Sequence, residues 1–261
     1  MNLTVRVLGA QLRNVARSRW IIGYGLLLLA GTALLLRFGG TGERALLSLL
    51  NVVLLLPPLV SVMFGVLYVH NAREFIELLL AQPVGRGALY TGLFAGVTIP
   101  LAAAFLLGTG VPLLAQGGGP GYYAQAALLL VAGTLLTVGF ASLAVAVAVR
   151  FDDRARALGL ALLVWLVCAL LYDGFLLLLT SVLADYPLET PLLALVFLNP
   201  VDLARVALLM SLDVAALMGY TGAVYQRFFG AGGLALALGM LALTAVVPFA
   251  LGRRWFLRKD F

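Results

Sequence analysis

The chain has 261 residues, of which 63% are hydrophobic and 11% charged, with a mean hydropathy of +1.10. A soluble domain carries about 25% charged residues, so this chain cannot cover a globular surface with charge. Soluble enzyme, disordered protein and disulfide-rich module are excluded, and a polytopic membrane protein remains. The net charge of +6 then asks where the basic residues sit relative to a bilayer, not which nucleic acid they bind.

In chain order, 1–19 holds four arginines and no acids. Val5, Leu8, Leu12 and Val15 fall on one helical face, with Arg6, Arg13 and Arg17 away from it. This predicts an interfacial helix leading into a retained signal anchor. Six apolar stretches follow that approach or reach the roughly 20 residues a bilayer core requires: 20–36, 46–69, 89–115, 123–149, 157–184 and 231–251. Pro57 and Pro58 predict a kink in the second. The third carries Pro100, Pro112 and a Gly92-x-x-x-Gly96 spacing that permits close helix approach.

Segments 1–19, 70–88, 150–156 and 252–261 hold thirteen of the seventeen Lys/Arg; the intervening loops hold four. The positive-inside rule makes the first set cytoplasmic, so both termini are cytoplasmic and the span number is even. The fold expected is one all-α permease domain over 1–261, with six transmembrane helices.

The outer segment 185–230 is apolar but interrupted by Asn199, Pro200, Asp202, Arg205 and Asp213. Asn199-Pro200 with Asp202 reads as a helix start: N-cap, proline at N1, acid at N3. Membrane-dipping or surface helices suit it better than a seventh span. Two additional short spans would also keep the parity.

The loop 70–88 reads as a short cytoplasmic helix on which Phe75, Leu78 and Leu79 share a face, with Arg73, Glu74 and Glu77 polar. Pro83 and Gly85 end it. The pattern fits either a connector resting on headgroups or a docking helix for a cytoplasmic partner. Asp152, Asp153 and Arg154, between spans four and five, read as a tight turn whose charges keep both helix ends in the headgroups.

Within the spans, Asp173 beside Tyr172 is the one acid. A carboxylate at the bilayer centre costs about 2.5–3.5 kcal/mol, so it must face protein or water. Its outer-half position favours a hydrogen bond to a neighbouring helix over a cavity lining. Lys259 is the only lysine, which excludes a P-loop ATPase in this chain. Single His70 and single Cys168 exclude H-E-x-x-H and C-x-x-C sites. Cys168, Met63, Met210, Met218 and Met240 are too scattered for a copper relay, so no metal site is assigned. With no catalytic constellation in the spans, the chain is not expected to be an enzyme.

The string REFIELLLAQPVGR resembles the first cytoplasmic loop of ABC-2 type permeases. The matching residues are Arg73, Glu74, Glu77, Leu78, Leu79, Pro83 and Arg86; many relatives have extra residues between the two glutamates. Asn199–Gly230 is similar to NosY-type permeases, those of the nitrous oxide reductase maturation system. The resemblance implies a type V exporter-like fold in the bacterial inner membrane. It also implies a homodimer, each copy docking a separate cytoplasmic ATPase that holds the ATP and Mg, with the turn carrying Asp152, Asp153 and Arg154 as a second docking element beside the 70–88 loop. A periplasmic accessory protein would sit on the outer face, and the complex would support copper-site assembly. An exporter of lipid or drug-like molecules, and a scaffold that moves no solute, are the alternatives.

Overall fold

A computed structural model of the chain describes residues 18–39, 43–80, 85–183, 189–212 and 232–259. All regular structure there is helical. The elements are α1 (Arg19–Phe38), α2 (Glu43–Asn71), α3 (Arg73–Leu80), α4 (Arg86–Gln116), α5 (Pro120–Arg150) and α6 (Arg154–Leu166). A π-turn (Val167–Leu171) joins α6 to α7 (Tyr172–Val182). α8 (Glu189–Leu198), α9 (Pro200–Ser211) and α10 (Leu234–Arg258) complete the set. Residues 1–17 of the interfacial helix expected over 1–19, together with Pro83 and Asp213, lie outside the described residues.

Six of these helices are long and apolar enough to cross a membrane, counting α6, the π-turn and α7 as one. Even α1, the shortest at 20 residues, spans about 30 Å. All six match the stretches read from sequence. The last extends past 251 to Arg258, carrying Arg253, Arg254 and Arg258 on its final turns.

α5 is the centre of the bundle. It packs most extensively against α2 and α10, and also meets α4, while α1 packs on α4. Small residues set these approaches. A Cβ on Gly65 would stand 2.6 Å from the Ala144 Cβ, and one on Gly108 2.7 Å from the Gly25 carbonyl oxygen. In lipid no apolar driving force separates helix from tail, so such close packing holds the helices together. The core gathers Leu46, Leu49, Val53, Leu54, Val62 and Val66 of α2 with Leu129, Leu136, Ala144 and Val145 of α5.

The proline pair does not break α2, which runs through Pro57 and Pro58 as one helix of 29 residues. The prolines leave the Val53 and Leu54 carbonyls without their i+4 donors. Packing of buried Val53, Leu54 and Val62 against α5 keeps the helix whole, and the buried Ser61 hydroxyl adds a bond to the Pro57 carbonyl at 2.7 Å.

The fifth span is different. α6 buries Ala157 and Ala161 against its neighbours, and Trp165 Nε1 donates to the Leu55 carbonyl at 3.3 Å. α7 has no buried residue. Among its described residues, 189–212, the segment 185–230 contains no straight seventh helix. Instead Pro191–Leu198 and Pro200–Ser211 meet at 115° across Asn199, a broken or re-entrant pair.

Candidate functional site

Two polar clusters stand out from the apolar body. The first lies at the end of the bundle where α2, α4, α5 and α10 bring their basic residues. The Arg73 guanidinium pairs with the Asp152 carboxylate and donates to the Asp152 carbonyl at 3.1 Å. Lys259 Nζ donates to the same carboxylate at 2.6 Å and to the Val149 carbonyl at 2.7 Å. Arg86 Nη1 reaches the Lys259 carbonyl at 2.9 Å, and Arg154 Nη1 reaches Asn71 Oδ1 at 3.5 Å. The α3 helix, the α5–α6 turn, the start of α4 and the end of α10 are therefore tied through one carboxylate and its neighbours. Bonding from Lys259 is the largest influence holding the Asp152 carboxyl below the ordinary carboxylate range; desolvation opposes it, and the Arg73 bond and the two positive charges add to the lowering.

Asp153 serves the backbone. Its Oδ1 accepts from the N–H groups of Ala155 at 2.7 Å and Arg156 at 3.3 Å, capping α6. Arg156 stands 3.6 Å from it and is largely exposed.

On α3 the apolar residues divide between two faces. Ile76 and Leu79 are buried, with Ala72 and Leu80 packed beside them. Phe75 is 39% exposed and Leu78 68%. The buried stripe is 72, 76, 79, 80, a helical spacing on which Ile76 replaces Phe75 and Leu78. What α3 presents outward is Glu74, Phe75, Glu77 and Leu78, two acids beside two apolar side chains. No described partner covers this face, while Arg73 and Leu79 are committed inward.

The second cluster joins the fifth span to the bent pair. Asp173, on the first turn of α7, pairs with Arg205 of α9. Arg205 Nη1 also stands 3.2 Å from Asp202 Oδ1, one turn back on its own helix. Asp202 is buried, and its other oxygen accepts from Asn199 Nδ2 at 3.0 Å. Asn199 Nδ2 further donates to the Cys168 carbonyl on the π-turn at 2.7 Å, while its Oδ1 caps α9 through the Val201 N–H at 3.0 Å. The Tyr172 hydroxyl donates to the Leu195 carbonyl of α8 at 2.8 Å. The predicted helix start at Asn199-Pro200 is present as read, and Asp173 does bond to a neighbouring helix.

Sequence reading named Arg205 and Asp173 separately and missed that they pair. A usable signal existed: charges inside a membrane come paired, and basic residues are scarce near Asp173. The role of Lys259 was missed too, although its being the only lysine marked it. Among the described residues no group of three or more His, Cys, Asp or Glu side chains could hold a metal ion.

Between α5, α6, the π-turn, α9 and α10 lies an apolar groove of about 330 Å³. Phe140, Leu143, Cys168, Pro200, Val247 and Pro248 are among the residues that line it.

The chain matches the model of the ABC-2 family transporter protein over residues 6–261. It is 34% identical to the probable ABC transporter permease protein NosY of Pseudomonas aeruginosa, covering 95% of this chain and 96% of that protein. It is 29% identical to the probable ABC transporter permease protein NosY of Stutzerimonas stutzeri, covering 98% and 92%. Together with the six apolar helices, these matches make the chain a multi-pass protein of the bacterial inner membrane. A bundle of six apolar helices with a short amphipathic helix beside its arginine-rich end, matched over nearly its whole length, belongs to the ABC-2 family of transporter permeases.

Proposed function

We propose that the chain is the membrane half of an ATP-driven complex and that the outward face of α3 receives a cytoplasmic ATPase. The observation that carries this is the uncovered set Glu74, Phe75, Glu77 and Leu78 on a helix locked to three other segments through Arg73, Asp152 and Lys259. A push on such a face cannot be absorbed locally. It is passed to α5 and α10, the centre of the bundle.

In this reading the arginine-rich end is cytoplasmic, by the positive-inside rule, and both termini lie on that side. Two copies of the chain each dock one ATPase, which holds the ATP and Mg; the chain itself needs no cofactor. Asp153, Arg154 and Arg156 flank the docking face. The bent pair α8–α9 lies on the periplasmic side, where an accessory protein would sit. The NosY relatives suggest that the complex serves copper-site assembly in nitrous oxide reductase, with the copper held by other subunits.

The test is recruitment. Membranes carrying Glu74→Ala with Glu77→Ala should lose ATPase co-purification and ATP turnover while the permease remains folded. Unchanged recruitment and turnover would remove the docking role.

A second reading, export of an apolar solute, draws on the groove beside the π-turn. Pockets of about 300–1,000 Å³ with apolar lining suit small apolar ligands. Proteoliposomes carrying the ATPase separate the readings: ATP-driven movement of a lipid or dye supports export, and its absence alongside intact ATPase recruitment supports a complex that transmits motion only.

A further inference from the structure

The fifth span is packed over one half and loose over the other. α6 is held by buried Ala157 and Ala161 and by Trp165, whereas no residue of α7 is buried. Among the described residues, α7 is fastened at its first turn: Tyr172 bonds to the Leu195 carbonyl and Asp173 pairs with Arg205. The junction between the two halves is the π-turn, where the Tyr172 N–H bonds back five residues to the Val167 carbonyl. Its Cys168 carbonyl accepts from Asn199. All three fastenings lead to the bent pair α8–α9.

We propose that the π-turn is a hinge, and that Arg205 is the latch that couples α7 to the bent pair. A π-turn carries one residue more than an α-turn, and removing one residue from a helical register rotates everything beyond it by about 100°. Relaxation of Val167–Leu171 to α geometry therefore swings Asp173 away from Arg205. The Asn199 bond to the Cys168 carbonyl holds the π geometry in place.

The latch can open because Arg205 has two carboxylates. Asp202 travels on the same helix at 3.2 Å, so the guanidinium keeps a partner when Asp173 leaves. Asp173 is 42% exposed, and on separation it is the acid that must find water or headgroups instead of Arg205. Arg205 and the buried Asp202 therefore keep each other in both positions, so opening never leaves Asp202 without its countercharge. The hinge does not depend on what docks at the arginine-rich end.

The test is amide deuterium exchange on the full chain in lipid nanodiscs, comparing 172–182 with 154–166. Asp173→Asn should speed exchange in 172–182 about tenfold, the effect of losing one charged hydrogen-bonded pair, and leave 154–166 unchanged. Tyr172→Phe removes a different fastening and should act in the same direction with smaller size. It carries the test if Asp173→Asn does not assemble. Unchanged exchange in 172–182, or loosening that spreads equally into 154–166, overturns the proposal.

Discussion

Arg205 on α9 holds Asp173 on α7, thirty-two positions earlier, while keeping Asp202 of its own helix at 3.2 Å. One guanidinium thus answers two carboxylates, one buried and one half-exposed. The two acids are unequal partners, and their removal has unequal consequences.

Arg205→Ala leaves the buried Asp202 carboxylate without a countercharge and should cost about 3 kcal/mol or more. Asp173→Asn leaves the Asp202–Arg205 pair intact and should cost about 1 kcal/mol. Thermal unfolding in detergent should rank the two melting temperatures in that order; a reversed order would disprove the pairing.

Glu74→Ala with Glu77→Ala changes only exposed side chains, so stability should move by less than about 0.5 kcal/mol. ATPase co-purification should fall by about tenfold, as expected if the pair supplies one to two kcal/mol at an interface. By contrast Ile76→Ala, at a buried position, should cost about 2–5 kcal/mol and lower the melting temperature itself.

The Asp152 tie is pH-dependent, and the sign follows from the depressed pKa. A carboxyl lowered in the folded state contributes stability above its unfolded value of 3.8, and this is lost as pH falls through the folded value. Attachment of α3 to the α5–α6 turn should therefore be constant at neutral pH and weaken only below about pH 4. Because Asp152 is largely exposed, its substitution by Asn should remove the acid-side effect while changing neutral stability little. Exchange of the 73–80 amides against pH is the measurement.

Gly252→Ala should destabilise by about 1–3 kcal/mol. A Cβ there meets the Tyr90 hydroxyl and stands 2.9 Å from the Ala146 Cβ, at the α4–α5–α10 junction. Gly159→Ala has open space around it and, as a helix-interior glycine, should be neutral or stabilising by up to about 1 kcal/mol. Paired melting curves of the two variants separate close packing from a general effect of alanine.

Much of the architecture is legible in the chain. Runs of about 20 apolar residues have only one stable form in lipid, since every backbone group must be satisfied within its own helix. The Asn199-Pro200 cap is equally local: its carbonyl oxygen, the missing proline donor and the next N–H all lie within three residues. The face of α3 was less legible. Phe75, Ile76, Leu78 and Leu79 are all apolar, and a helix of 8 residues can turn either of two overlapping stripes inward. The body of the bundle selected Ile76 and Leu79. The proline pair sits inside one continuous helix of 29 residues, because packing against α5 holds α2 together where two carbonyls lose their donors.

What the sequence determined by itself is the number of spans, their extent, the one end crowded with arginine and the cap of α9, because each depends on neighbours within one or two helical turns or on a count. What only the tertiary structure decided is which charges meet. Asp152 with Arg73 and with Lys259, and Asp173 with Arg205, are pairings across 32 to 107 positions, and no local spacing encodes them. They follow from how the helices pack, and that packing turns a few scattered charges into two connected clusters.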